Sequence, residues 1–178
     1  MISPILLLAS ANTMLGVAHE RHWGRGGVAF IDHVGFRSHY DNEIRRSSWP
    51  IPAGEGVEDL VRFATARNIL STEKPTLGEI FLLWTPFGKR FTHAGIVAAV
   101  EREGRFADGR RYYECITIEA ERRNHGIARG ACQTTHRICP EYGDRFIRWV
   151  DLDGRRQIGN PLATSQICME SMRSAAAA

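Results

Sequence analysis

The sequence predicts an α+β domain in which N-terminal helices pack on a five-stranded, mainly antiparallel sheet. Apolar residues recur at helical spacing up to about residue 70, and five short runs with strand composition follow between 78 and 152. Helices first and strands second, without βαβ alternation, point to this class rather than to a parallel sheet. The 178 residues, 43% hydrophobic and 24% charged, suit one soluble domain with a real core.

Residues 3–15 carry apolar side chains at loosely helical spacing, and 21–27, "RHWGRGG", form a glycine-rich loop. In 28–40, Val28, Ile31, Val34 and Gly35 share one side of a short helix. "RRSSWPIPAG" (45–54) is loop by composition. Val57, Leu60, Val61 and Ala64 fall at i, i+3, i+4 and i+7, so 56–70 is an amphipathic helix. The strand runs are 78–84, 92–101, 111–120, 132–138 and 144–152, each bounded by Gly, Pro or charge. The domain is assigned to 1–152. Residues 153–178 lose periodicity and end "SAAAA", the pattern of a disordered tail.

Net charge is +3, too small to imply nucleic acid. All but Lys74 and Lys89 of the 23 basic residues are arginine, which genome composition explains. The start, "MISPILLLASAN", has no basic n-region and too short an apolar run for a signal peptide, so a cytoplasmic chain is expected unless another route exports it. No apolar run is long enough to span a membrane, and a monomer is expected. Cys115, Cys132, Cys139 and Cys168 form neither C-x-x-C nor zinc-finger spacing and are too sparse for a disulfide scaffold.

His93 heads the apolar run "THAGIVAAVE". The next strand, "RYYECITIEA", follows a turn rich in Gly and charge. A hairpin centred near residue 106 sets His93 opposite Glu119, Val97 opposite Cys115 and Ala99 opposite Tyr113. Opposed Cβ atoms lie about 5 Å apart, so the carboxylate can fix the imidazole tautomer and stabilise the imidazolium. A plain cross-strand pair that only stabilises the hairpin is the simpler account of these two residues.

Here the sequence resembles a family. "LGEIF" (77–81), "HAGIV" (93–97) and "TIEAE" (117–121), in that order, look like the core of CHAP domains, the cysteine, histidine-dependent amidohydrolase/peptidases of the papain-like, NlpC-type group of bacterial and phage cell-wall hydrolases. The resemblance covers residues 55–152 well and the first 50 weakly. It implies a papain-like fold and a peptidoglycan amidase or endopeptidase. His93 would be the general base, Glu119 its orienter and Glu121 a further polar residue. It also implies a thiolate at a helix N-terminus, where unpaired N–H groups lower its pKa. In "GRGGVAFIDHVGF" the matching position is Gly27, or Gly26 after a shift by one, and no cysteine precedes residue 115. Ala120 and Glu121 stand where the family has glycine and asparagine. Loss of a triad nucleophile costs about 10⁶ in turnover, so the expectation is an impaired hydrolase or a non-catalytic module binding peptidoglycan or a related peptide or glycan.

No cofactor or metal is assigned. His19, His22, His33 and His39 cluster with Asp32 and Asp41 but match no H-E-x-x-H pattern. Some of these histidines are expected to line the cleft. A metal-dependent hydrolase would require His93, Glu119 or Glu121, and one of these histidines to converge on one ion. Trp84 and Trp149 lie in strand runs and suit packing, whereas Trp23 and Trp49 lie in loops and are the candidate ligand contacts. "ERRNHGIAR" (121–129) offers arginines for a cleft rim or a solvated loop.

Overall fold

The computed structural model describes residues 4–17, 27–40, 56–120 and 130–148, with side chains of the second segment described for 28–35. The chain runs α1 (Pro4–Thr13), α2 (Gly27–Tyr40), α3 (Val57–Ala66), β1 (Leu70–Ser71), β2 (Ile80–Thr85), β3 (Arg90–Arg105), β4 (Arg111–Ala120), β5 (Ala131–Ile138), a 3₁₀ turn (Pro140–Tyr142) and β6 (Arg145–Ile147). All three helical segments read from periodicity are present. Pro4 opens α1, where its missing N–H costs nothing. Glu58 and Asp59 sit in the first turn of α3 and complement its dipole.

Among the described residues the sheet has six strands, not five, in the order β1-β6-β2-β3-β4-β5; every strand–strand pairing is antiparallel, and an isolated parallel bridge joins Leu15 to Ala131 at the start of β5. The additional strand is β1, whose two residues are too few to show any period; Leu70 and Ser71 pair with Ile147 and Phe146. The tail assigned to 153–178 lies outside the described residues.

Alternation along the strands creates two cores. On one face, Ile80, Leu82, Ala94, Ile96, Ile118 and Ala120 pack against Leu7, Phe30, Ile31, Val34, Leu60 and Phe63 of the three helices. On the other face, Phe81, Val97, Tyr113, Cys115, Ile138 and Phe146 form a second buried cluster that, among the described residues, includes none from the three helices.

"LGEIF" has a structural explanation in this fold. Gly78 has φ +80°, and a Cβ there would stand 2.1 Å from the Pro4 carbonyl oxygen at the start of α1. Glu79 is buried, accepts from the Thr76 N–H (3.1 Å) and pairs with Arg148 Nε (3.0 Å), joining the entry of β2 to the exit of β6. Burial pushes the Glu79 carboxyl up, and Arg148 and the Thr76 hydrogen bond only partly oppose this.

The β3–β4 hairpin corrects the expected register. The turn is Phe106–Arg110, closed by Phe106 N–H to the Arg110 carbonyl (2.9 Å), with Gly109 at φ +85°. It therefore centres two residues later than expected, with Arg105 opposite Arg111. Irregularities between Val97 and Ala99 and between Val100 and Arg102 then shift the pairing, so that Val97 faces Thr117, Ala99 faces Ile116, Val100 faces Cys115 and Glu103 faces Tyr113. Near the head of β3 the offset from the expected register is two residues, an even slip that leaves His93 and Glu119 on the same face.

Candidate functional site

His93, Glu119 and His136 come together on three adjacent strands, β3, β4 and β5, on the sheet face opposite the helices. Continuing the register from Ile96 opposite Ile118 by one residue sets Gly95 beside Glu119, so His93 and Glu119 are diagonal neighbours. Their side chains still meet: His93 Nε2 hydrogen-bonds Glu119 Oε2. Glu119 Oε1 lies 2.8 Å from His136 Nε2, although His136 stands opposite Cys115 in the ladder. The two long side chains lean toward one another over Thr117, whose hydroxyl is 3.2 Å from both Glu119 Oε1 and the Thr134 carbonyl. Its single proton serves one acceptor at a time.

Gly95 makes this convergence possible. A Cβ there would stand 2.7 Å from Phe81 Cε1, 2.9 Å from Glu119 Cβ and 2.9 Å from the Ile118 carbonyl oxygen. The Phe81 ring, opposite Gly95 on β2, floors the cluster at 5.8 Å from the His93 ring and 5.3 Å from the His136 ring. The side chains of His93 and His136 are 32% and 25% exposed, whereas that of Glu119 is 6% exposed. Hence the carboxylate is sheltered and both imidazoles are open to a ligand. Burial alone would raise the Glu119 pKa, but hydrogen bonds from His136 and His93 and their charge prevail and hold it at about 2.

The structure thus brings together His93 and Glu119, as the sequence suggests, and adds His136, which sequence reasoning missed. The available signal was alternation: Cys132, Thr134 and His136 share the face of Thr117 and Glu119, but only the register reveals which histidine is near. Gly27 is the first residue of α2. The apolar side of α2, Val28, Phe30, Ile31 and Val34, packs on the helix-bearing face. Glu121, Trp23 and Trp49 lie outside the described residues, as do His19, His22 and Trp149. Trp84 is half-buried, edge-on to Phe91 (5.0 Å between ring centroids).

Of the three described cysteines, Cys115 and Cys139 are buried and Cys132 is partly exposed. Cys115 faces Val100, is fully buried, and burial pushes its thiol up to about 12. Cys139 is buried near the 3₁₀ turn. Cys132 stands across from Glu119 on β5, with its Sγ 3.7 Å from the Thr134 hydroxyl.

No family model matches the chain, and no curated protein or solved structure matches it either. The class that fold and site define is therefore a six-stranded antiparallel sheet, backed by the described helices on one face and carrying a His–Glu–His cluster on the other.

Proposed function

We propose that this chain is a CHAP-like domain that binds peptidoglycan, or a related peptide or glycan, without cutting it. One observation carries this: a half-open imidazole held by a buried carboxylate on the neighbouring strand. The pair is the base-and-orienter half of a nucleophile–base–orienter arrangement. Glu119 engages Nε2 of His93, which leaves Nδ1 to exchange a proton with whatever is bound. An amidase or endopeptidase also needs an attacking atom, and glycine supplies none. The described helices lie against the opposite face of the sheet, so α2 does not face His93, a departure from the arrangement the resemblance implies.

The test is to incubate the full chain and its Gly27→Cys variant with purified peptidoglycan fragments, measuring retention by sedimentation and products by mass spectrometry. Retention without new products is expected for the unmodified chain. Cleavage by the unmodified chain would mean that the nucleophile lies elsewhere, and absence of retention would end the binding reading. Cleavage by Gly27→Cys alone would identify an emptied catalytic cleft. Binding by both with cleavage by neither would remove the CHAP resemblance and keep the binding site.

A further inference from the structure

We propose that His93, Glu119 and His136 hold one divalent transition-metal ion of the zinc type. Among the described residues they form a group whose ligand atoms, one per residue, all lie within 4.8 Å of one another. Two imidazole nitrogens and one carboxylate oxygen are a donor set that zinc accepts at about 2.0–2.2 Å, leaving a fourth position open for water or a ligand. Tetrahedral donors at that radius are about 3.3 Å apart. The present spread thus needs only small side-chain rotations, and the two imidazoles, each on a partly exposed flank, have room for them.

The surroundings also fit an ion. Gly95 lets Phe81 and Glu119 pack closely against the β3 backbone, and Phe81 forms an apolar floor under the three ligands. The Thr117 hydroxyl is placed to orient the liganding carboxylate from outside the coordination sphere. The Glu119 carboxylate is buried against an apolar surface, where a divalent cation would compensate its charge. Imidazole also selects zinc, copper, iron or nickel over magnesium or calcium, which prefer all-oxygen sites. The sequence expectation of no metal considered only a site with two carboxylates or with an N-terminal histidine. His136, brought in by β5, completes a different set. The site goes beyond the binding function proposed above and does not depend on it, because metal affinity is measured without any peptidoglycan.

The experiment titrates zinc into the chelator-treated full chain by calorimetry, and cobalt by visible absorption. One ion per chain with micromolar or tighter affinity is expected, with a cobalt spectrum of low coordination number. Glu119→Gln and His136→Gln are each expected to weaken binding at least 100-fold. Zinc should also shield His93 and His136 of the unmodified chain from diethyl pyrocarbonate, read by peptide mass spectrometry, a measurement that needs no variant to fold. No binding by the unmodified chain would overturn the site. So would unchanged affinity in both variants, or protection confined to His19, His22, His33 or His39.

Discussion

Replacing Gly95 with alanine tests the geometry on which the site depends. The added methyl meets three neighbours at 2.7–2.9 Å, closer than side-chain carbons are found. Two of them cannot yield cheaply: the Ile118 carbonyl is part of the β4 backbone, and Phe81 is fully buried. The third, Glu119, can move only by leaving His93 and His136. Overpacking of this kind costs typically about 1–3 kcal/mol. Alanine in place of glycine restricts the unfolded chain and returns about 0.4–1 kcal/mol. The net expectation is therefore a loss of about 1–2 kcal/mol. With a urea slope of about 1–3 kcal/mol/M, the midpoint should fall by roughly 1 M. Gly56→Ala is the control, because nothing lies within 4 Å of a Cβ there and its φ is −150°. It should change stability by less than about 1 kcal/mol. A Gly95→Ala chain with an unchanged or higher midpoint and the same slope would show that the hollow beside Glu119 is not as tight as described.

Arg148→Met should cost about 3–5 kcal/mol in thermal unfolding because it strands Glu79 in the core, and adding Glu79→Leu should recover much of that; equal melting of the single and double variants would contradict a buried pair. Glu119 titrates near 2 in the folded chain against an ordinary value of 4.5. In the metal-free chain its contribution is therefore complete above about pH 4.5 and is lost as pH falls toward 2, amounting to about 3 kcal/mol at 1.36 kcal/mol per unit. Glu119→Gln should flatten that part of the acid-unfolding curve, and a curve parallel to that of the unmodified chain would refute the assignment. Cys115, buried with its thiol near 12, should have about 10⁻⁴ of its population as thiolate at pH 8 and react with iodoacetamide only through unfolding. Labelling of its peptide as fast in buffer as in denaturant would show an open site.

The sequence by itself determined the order of helices and strands, because periods of 3.6 and 2 are local properties of side chains on a regular backbone. Val57, Leu60, Val61 and Ala64 announced α3, and the runs around His93 and Cys115 announced the central hairpin. It also placed His93 and Glu119 on one face, since that needs only the parity of the pairing and survived an error of two residues in the turn. The sixth strand was decided by tertiary structure, because two residues such as Leu70 and Ser71 become a strand only when β6 arrives to accept their hydrogen bonds. The placement of His136 was decided there as well. It lies 17 residues from Glu119 along the chain, and nothing in "CQTTHRI" marks it, since its meaning depends on the β4–β5 register and on two side chains reaching across Thr117. Non-local pairing and side-chain direction have no signature in a single stretch of sequence, and the His–Glu–His cluster is built from both.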